Sequence, residues 1–434
     1  MQLNEITSKL YDFLNRSKAV FLTWDPTSFD STTLAKLQIK LKFQNSKQEF
    51  VGFTVNAGNS VVLTNILEKV NDVTKTVFIG HDFKNLFTLF RRLNKKPLCL
   101  TNIFDLHWYE SYLGLQTSKN DITAQMRHIK DWLANQTLSS LYKQIYRPLI
   151  VEVLPDIESV GLVNQDLGTL VFPNFVVEGQ TNGRLSCICE YKRCYNPHSL
   201  SDEEKECLTL FENDGIFLWY DYNNMEVSVL AELADDPVLK EIIQNHPKHV
   251  YEKIFEKITG VQNENARKMA KSMFLPCIYG QGPNGLAKTL NISQEQAAIY
   301  LHKMTDAFPK SFAYVEGIQR DAKEKGTVND RLGRIRHFTD ETYFKARNFA
   351  VQSPSALLCL ESLVNLHKST DNKFRIIFTV HDGYCIAATK SNVEHAYKTA
   401  RSVLQQQSSI LPINFNVSIK IGRNLAKMVP IGQR

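Results

Sequence analysis

The sequence predicts an α/β (α+β) protein in which two successive regions are each built from strands and helices. Short apolar runs such as KAVFLTW, KTVFIG and GIFLWYDY have strand character, and they alternate with segments whose apolar residues recur at helical spacing. The chain has 434 residues, of which 43% are hydrophobic and 22% charged, so it can form two or three domains around a large core.

The first region, to about Gly114, contains the strands KAVFLTW and KTVFIG and a segment with helical spacing, NLFTLFRRL. A long helical stretch, DITAQMRHIKDWLANQTLSSLYKQIYRPLI, then leads to a looser segment whose glycines and prolines indicate turns.

Strands and helices are dense from Arg184 onward. The run GIFLWYDY is a strand ending in an acid, and residues 226–234 and 263–279 are helical. A further helix begins at the capping box from Ser293 to Gln296. The segment FRIIFTVHDGYCIAA is predicted as two strands joined by a turn at Asp382-Gly383.

Two acids stand out because each follows an apolar run: Asp221 after IFLWY and Asp382 after IIFTVH. A carboxylate at the end of a buried strand is costly unless it is paired or binds a cation. Two such strands side by side would hold the divalent metal that phosphoryl transfer requires. Each acid taken alone is better explained as a turn residue, since Asp-Gly is a common turn pair.

The segment ARKMAKSMFLPCIYG repeats a pattern every fourth residue, through Arg267, Lys271, Leu275 and Tyr279. On a helix this spacing aligns two cations, an apolar residue and an aromatic along one slowly drifting face. The cations would grip phosphates, and the other two side chains would pack on a base. The alternative is an ordinary amphipathic helix with a basic edge.

Four segments resemble, in order and content, the family A DNA polymerases of the bacterial polymerase I type. They are the arginine motif TNGRLSC, motif A DYNNMEVSVLAELADD, the fingers helix RKMAKSMFLPCIYGQGPNGLA and motif C VHDGYCIA. The resemblance runs from about Gln180 to Ala426, which is more than half of the chain.

The resemblance implies roles for individual residues. Asp221 and Asp382 would bind two Mg²⁺ ions, and His249, Arg267 and Lys271 would contact the incoming triphosphate, with Lys271 in the catalytic group. The other implied substrate contacts are Leu275, at the position that usually stacks on the incoming base, Tyr279, near the templating base, and Glu226. The implied DNA contacts are Arg184, Asn348, Gln352 and His381.

Glu226 separates two kinds of polymerase. The matching glutamate lies against the sugar of the incoming nucleotide and excludes a 2′-hydroxyl, and single-subunit RNA polymerases lack it. The resemblance therefore favours deoxynucleotides over an RNA polymerase or primase.

The sequence departs from the family pattern at several points. Gly383 replaces an acid that often follows the motif C aspartate, Leu275 replaces an aromatic, and Pro276 stands where glycine is usual. Fewer than twenty residues separate Leu162 from Gln180, which is too short for a helical hairpin that grips duplex. The thumb is therefore expected to be missing or minimal.

The N-terminal part resembles the exonuclease-like (RNase H-like) domain that precedes these polymerases. Its acids are depleted, since Thr23 and Leu86 occupy two acidic positions and only Asp25 is retained; the remaining acids that could form an unusual site are Asp30, Asp82 and Asp105. The resemblance implies a degenerate domain without proofreading at 1–120, a helical linker with vestigial thumb at 121–180, and palm and fingers at 181–434, the fingers at about 240–345.

The cysteines and the charge place weaker limits on function. Cys187, Cys189, Cys194, His198 and Cys207 lie close together, but Cys-x-Cys is too tight for most zinc sites, and reduced cysteines in an intracellular protein are expected. The formal net charge of +6 suits nucleic acid only weakly. No apolar run is expected to span a bilayer, and the amino terminus lacks a secretory signal.

The sequence therefore predicts a DNA polymerase that works on DNA primer–template with dNTPs, inside the cell at sites of DNA replication. The missing thumb implies a protein partner that supplies grip on the duplex. The main rival is a catalytically inactive, polymerase-like DNA-binding or scaffold subunit, which thumb loss and Gly383 favour and the retained acids and cations oppose.

Overall fold

The computed structural model describes the second half of the chain almost continuously and the first part in segments. The described residues are 10, 12–14, 17, 19–25, 38–45, 49–56, 76–81, 83–94, 103–115, 122–189, 194–262 and 264–431. Their apolar side chains form one main core that extends from Leu10 to Ile419. A smaller cluster, which includes Val328 and Phe349, lies beneath a short hairpin.

The first region contains a mixed five-stranded sheet. Its strands are β1 Ala19–Asp25, β2 Gln38–Asn45, β3 Phe50–Asn56, β4 Val77–Gly80 and β5 Ile103–Asp105. Their spatial order is β3-β2-β1-β4-β5, with β1, β2 and β3 antiparallel and β1, β4 and β5 parallel. The crossover that parallel neighbours need contains α1, Phe83–Asn94, whose Leu86 and Leu89 are fully buried. The predicted strands and helix of this region are confirmed.

A run of helical segments follows the sheet, as the sequence predicted. They are α2 Leu106–Tyr112, α3 Ile122–Ala134, α4 Gln136–Leu141, two π-helical turns at Tyr142–Tyr146 and Leu149–Val153, and α5 Leu154–Ile157. Aromatic side chains hold this run together: the Trp108 ring lies 4.7 Å from the Tyr142 ring and 4.9 Å from the Tyr146 ring.

The stretch from Leu162 to Gln180 is fully described and contains no helix. Its short strands are β6 Leu162–Asn164, β7 Thr169–Val171 and β8 Phe175–Val176. Two strands from later in the chain pair with them. Strand β9, Ser186–Cys187, pairs with β8, and β10, Leu208–Thr209, which follows α6 Asp202–Cys207, pairs with β6. Strands β10, β6 and β7 form a small sheet. Short strands thus occupy the segment in which the sequence left no room for a helical hairpin.

A long helical insertion separates the strands of the second sheet. It follows β11, Gly215–Tyr222, and comprises α7 Met225–Leu233, α8 Pro237–Asn245, α9 Val250–Thr259, α10 Ala266–Ile278, α11 Pro283–Leu290, α12 Gln294–Ala307, α13 Pro309–Lys325, the hairpin of β12 Thr327–Asn329 and β13 Ile335–His337, and α14 Ala346–Lys368. Ser293 caps α12, with its hydroxyl accepting from the Gln296 amide at 3.1 Å. This is one half of the predicted capping box, and between these two described residues the structure shows no reciprocal bond from the Ser293 amide to the Gln296 side chain.

The second sheet is antiparallel and has β11 at its centre. The remaining elements are β14 Phe374–Val380, β15 Gly383–Thr389, α15 Val393–Leu404, β16 Val417–Gly422 and β17 Val429–Ile431. The strand order is β14-β15-β11-β16-β17. Residues of β11 therefore contact β15 on one side and β16 on the other.

Helix α14 is the main core helix behind this sheet. With the turn before it, Tyr343–Lys368 is long and apolar enough to cross a membrane, contrary to the expectation that no run in the sequence would be. Because 83% of its most apolar window is buried inside the protein, this segment is explained as a core helix, which passes the same test of length and composition.

Candidate active site

The two predicted acids, Asp221 and Asp382, meet at one end of the second sheet. Asp221 lies in β11 opposite Gly383 of β15, and the Tyr222 amide donates to the Asp382 carbonyl oxygen at 3.2 Å. His381 and Asp382 form the two-residue loop between β14 and β15, one position earlier than the predicted turn. His381 has φ +54°, a conformation that such tight loops require. The hairpin thereby presents both loop residues beside Asp221.

Burial and like charge make this carboxylate pair unfavourable on its own. Burial, followed by the charge of Asp382, raises the pKa of Asp221 to about 6. Burial also raises the pKa of Asp382, and the guanidinium of Arg184 acts in the opposite direction. A divalent cation between two such groups reverses this penalty.

The donor set suits a hard cation. Mg²⁺ prefers oxygen ligands and is commonly held by one or two carboxylates together with water and substrate phosphates. In the described part of the chain, no group of three or more His, Cys, Asp or Glu side chains is arranged to hold a metal ion. An ion at this site would therefore rely on Asp221, Asp382 and oxygens from elsewhere, substrate included.

Helix α10 carries the predicted fourfold row. Arg267 and Lys271 are exposed, Leu275 is half-buried, and Tyr279 follows the last helical residue as its C-cap. Lys271 lies close enough to Asp221 to lower the pKa of that carboxyl. The row therefore passes from exposed cations to half-buried side chains, with Lys271 near the acid pair. The predicted helix is confirmed.

His249 lies beside the outer end of this row. It precedes α9 as the N-cap residue, and its side chain is 66% exposed. Its Nδ1 is 3.5 Å from a Glu252 oxygen, and the other Glu252 oxygen is 3.8 Å from Arg267 Nη1. His249 and Arg267 thus face the same carboxylate, which the sequence analysis did not single out. Their exposure leaves both side chains accessible to an anionic ligand.

Glu226 is held from two sides in the first turn of α7. One oxygen accepts from Arg184 Nη2 at 2.6 Å, and the other accepts from the hydroxyl of Tyr279. Burial, followed by the charge of Glu226, raises the pKa of Tyr279 well above its usual value, so this phenol remains a donor at neutral pH. Three residues predicted separately from the arginine motif, motif A and the fingers helix are therefore joined in one network.

The predicted DNA contacts surround the same network. Asn182, two residues before Arg184, donates to Gln352 Oε1 at 3.2 Å. Asn348 lies one helical turn before Gln352 on α14 and is also half-buried. Burial lowers the pKa of the His381 imidazole, and the nearby charge of Arg184 lowers it further. The structure thus places Arg184 and His381 next to Asp382 and joins Gln352 to the segment that carries Arg184.

Comparison with known proteins assigns the family. The family model described as DNA polymerase family A matches residues 162–427, more than half of the chain. This chain belongs to DNA polymerase family A. The match begins at Leu162, upstream of Gln180, where the resemblance in the sequence begins.

Curated relatives in this family are bacterial polymerases. DNA polymerase I of Bacillus caldotenax is 30% identical over 212 residues, covering 45% of this chain and 24% of that protein. DNA polymerase I of Chloroflexus aurantiacus is 25% identical over 310 residues, covering 67% of this chain and 32% of that protein. The chain thus spans about a quarter to a third of the length of these relatives.

A solved structure shares the fold across nearly the whole chain. The POL domain of Pol1 from M. smegmatis, in complex with DNA primer-template and dNTP, matches with a TM-score of 0.79 and 13% identity. The match covers 98% of this chain and 99% of that one. The fold of a family A polymerase domain is therefore present.

Trp219 and Lys420 are two residues near the acid pair that the sequence analysis missed. A Cβ on Gly383 would lie 2.6 Å from Trp219 Cζ2, so the acid that other family A members often have there does not fit beside this tryptophan. Lys420 of β16 pairs with Trp219 and lowers the pKa of Asp221. The alternation in VSIKIG, once paired with β11, is the signal that would have placed Lys420 on the face of Asp221.

The cysteine cluster contains a disulfide. Cys189 and Cys194 are joined, so the expectation of reduced cysteines is wrong for this pair, while Cys187 and Cys207 are free thiols. The His198 ring lies 5.1 Å from the His381 ring in an edge-on contact. The sequence could not distinguish these outcomes, because spacing alone does not fix which sulfurs meet.

Of the N-terminal acids singled out in the sequence, only Asp105 has a described side chain. Leu86 is fully buried, and Asp105 is 3% exposed because it caps α2, accepting from three backbone amides including that of Phe83 at 3.0 Å. Thr23 and Asp25 lie in β1. Asp30 and Asp82 lie outside the described residues.

Proposed function

We propose that this chain is a template-directed DNA polymerase that adds deoxynucleotides to a primer 3′ end by phosphoryl transfer with two Mg²⁺ ions. The observation that carries the proposal is the convergence at one end of the second sheet. Asp221 and Asp382 adjoin there, Lys271 approaches from α10, and Glu226 is joined to Arg184 and Tyr279. Family membership supplies independent support.

The two carboxylates are the metal ligands in this proposal. Bound Mg²⁺ would lower the pKa of the primer hydroxyl and screen the triphosphate. The chain's own polar side chains bind and orient the nucleotide: His249 and Arg267 contact the outer phosphates, and Lys271 stabilises charge on the phosphate nearest Asp221. Their exposure and their order along α9 and α10 support these roles.

Nucleotide choice belongs to the inner part of the same surface. Glu226 has both oxygens fixed by donors, so it cannot rotate away from a sugar placed against it, and a 2′-hydroxyl would meet a rigid carboxylate. Tyr279 and Leu275 adjoin the base pair that forms. Glu226 is therefore the residue that restricts the enzyme to deoxynucleotides.

DNA binding uses the groups beside the acid pair. Arg184, Asn348 and Gln352 reach primer and template from the minor groove, where hydrogen-bond acceptors are common to all base pairs. His381, at the hairpin tip, lies beside the primer end. The hydrogen bond from Asn182 to Gln352 holds two of these segments in register.

The first region, 1–120, is proposed as an exonuclease-like domain without proofreading. Its mixed sheet supports the fold, and the burial of Leu86 and the capping role of Asp105 support the loss of chemistry. Residues 121–180 form the linker and thumb remnant, and residues 181–434 form palm and fingers, with fingers at about 240–345. Metal-dependent degradation of a mismatched primer, lost on Asp25→Ala, would contradict this assignment.

A catalytically inactive DNA-binding or scaffold subunit is the second candidate. It is favoured by one observation: the place of a motif C acid is filled by Trp219. Single-nucleotide incorporation separates the two candidates. The purified chain, primer–template, dNTP and Mg²⁺ should extend the primer by one nucleotide, whereas a scaffold would bind the same DNA in fluorescence anisotropy without extending it.

A further inference from the structure

Arg334 is a buried arginine shared by three segments of the chain. It is the last residue of the loop between β12 and β13 and is 1% exposed. Its two Nη groups donate to the two carboxylate oxygens of Glu178, and Nη2 also donates to the Tyr146 hydroxyl at 2.8 Å. The Tyr112 ring lies 4.5 Å from the guanidinium carbon. A buried charge is tolerated only with this degree of pairing.

The loop that presents Arg334 is fixed from both sides. The buried carboxylate of Asp330 accepts from the Arg334 amide at 3.0 Å and from Ser353 Oγ of α14 at 2.6 Å. On the other side, the Tyr112 hydroxyl of α2 donates to the Leu332 carbonyl at 2.8 Å. The N-terminal region and α14 therefore set the position of Arg334 together.

The arginine motif lies directly on this guanidinium. A Cβ on Gly183 would be 2.3 Å from Arg334 Nη2, so only glycine allows so close an approach. The next residue, Arg184, donates to Glu226, and the preceding one, Asn182, donates to Gln352. Arg334 thus packs directly against the turn that carries Arg184.

We propose that Arg334 is a positioning residue that couples the N-terminal region to nucleotide selection. Through Tyr112 and Arg334, packing of that region fixes the turn at Gly183 and, through it, the Arg184–Glu226 pair. This inference rests on the proposed polymerase function. It assigns the exonuclease-like domain a task that needs no nuclease chemistry: it supports the site that reads the sugar of the incoming nucleotide.

Arginine is specifically suited to this position. Its planar fork donates to a carboxylate and a phenol at once while its face stacks on a tyrosine ring, and lysine offers one compact ammonium instead. Arg334→Lys retains the charge and loses the fork. Tyr112→Phe retains the ring on the guanidinium and removes only the hydrogen bond to Leu332, so it is the variant that perturbs the fold least.

The matched control is Tyr109→Phe in the same helix. The Tyr109 ring packs 5.4 Å from Phe104 and 5.5 Å from His128, on residues of the first region and the linker. It removes the same atom from the same helix without touching the Arg334 loop. Tyr109→Phe therefore reports the effect of removing a tyrosine hydroxyl from α2 that has no bond to the Arg334 loop.

Two measurements test the coupling. The first is amide hydrogen exchange of the peptide spanning residues 181–185 in the free protein, where the Gly183 amide is bonded to the Gln180 carbonyl at 2.9 Å. The second is the ratio of kcat/KM for dATP to that for ATP. Arg334→Lys and Tyr112→Phe should speed exchange by about tenfold and lower the ratio by about tenfold, the change expected when ~1.4 kcal/mol of coupling is lost. Tyr109→Phe should change neither.

The inference is overturned if both variants lose thermal stability but keep the parent's exchange at residues 181–185. It is also overturned if exchange rises and the dATP to ATP ratio stays at the parent's value. A parent that incorporates no nucleotide would instead refute the proposed function, and the exchange result would then decide only whether Tyr112 and Arg334 position the turn at Gly183.

Discussion

In the proposed function, Glu226 is the side chain that restricts the choice of substrate. Its carboxylate is fixed by a guanidinium on one side and a phenol on the other. Because burial and Glu226 itself keep the pKa of Tyr279 high, the phenol donates throughout the neutral range. In the proposed function, a carboxylate held in this way excludes a 2′-hydroxyl because it occupies the space and cannot move aside.

Replacing Glu226 with alanine should admit ribonucleotides. The change removes the group that would meet a 2′-hydroxyl, and we expect the preference for dATP over ATP to fall by roughly tenfold or more, about 1.4 kcal/mol. The kcat/KM for each nucleotide measures it. Glu232→Ala, on the same helix and paired with Lys240 at 3.2 Å, is the control. Equal discrimination in Glu226→Ala and the parent would reject this role.

Gly383 is required by its neighbour. Because a Cβ there would lie 2.6 Å from Trp219, Gly383→Ala should lower the free energy of unfolding by about 1–3 kcal/mol through overpacking. Urea unfolding measures the change. Gly282→Ala is the control, since a Cβ at Gly282 meets nothing within 4 Å. A stability equal to the parent's in Gly383→Ala would show that Trp219 moves aside at no cost.

At the scale of elements, a buried ion pair connects α1 of the first region to the end of α5 and to β8. Lys84 Nζ of α1 donates to Glu158 at 2.8 Å, with the two side chains 7% and 1% exposed. Glu158 also accepts from the Thr88 hydroxyl at 2.7 Å and from the Phe175 amide at 2.6 Å. Helix α1, α5 and β8 therefore depend on one carboxylate.

Breaking this pair should destabilise the whole protein. Lys84→Met leaves Glu158 buried without its cation, which typically costs about 3–5 kcal/mol. Lys130→Met, at an exposed position on α3, should change the free energy of unfolding by less than about 0.5 kcal/mol. Denaturant unfolding followed by far-UV circular dichroism compares them. Equal stability of the two variants would mean that the pair contributes nothing net.

The elements themselves were largely predictable because local pattern determines them. The apolar runs before Asp221 and Asp382 are strands, and the fourfold row through Lys271 is a helix. The hairpin loop was placed one residue late because the Asp-Gly pair is a strong turn signal, whereas His381 takes the left-handed conformation instead. Local propensity did not contain that choice.

At the scale of the whole molecule, long-range contacts escaped prediction. The partners Glu178 and Arg334 are separated by 156 residues, and Trp219 reaches Gly383 only once β11 and β15 pair. The Cys189–Cys194 disulfide likewise depends on the path of the chain between them. The acid pair could be predicted because the motif order of the family identified it. Glu178, Arg334 and Trp219 lie outside those motifs, so their contacts could not be predicted.

The chain alone should bind primer–template weakly and synthesise short products. Duplex affinity comes largely from phosphate contacts, and short strands occupy residues 162–180, where a thumb would lie. We expect a few nucleotides to be added per encounter at physiological salt, and more when a partner protein clamps the duplex. Single-round extension with a trap competitor measures this. Hundreds of nucleotides added by the isolated chain would remove the need for a partner.

We propose that Asp221 and Asp382 form the metal-binding centre of a working polymerase. The most direct test is single-nucleotide primer extension by Asp221→Ala and Asp382→Ala, with Asp214→Ala, an exposed acid just before β11, as the control. Both site variants should lose at least about 10³-fold in rate while keeping the parent's DNA affinity and a melting temperature no lower than the parent's, because removing one of two buried like charges relieves their repulsion. The control should match the parent. Near-normal extension by either folded site variant would contradict the account.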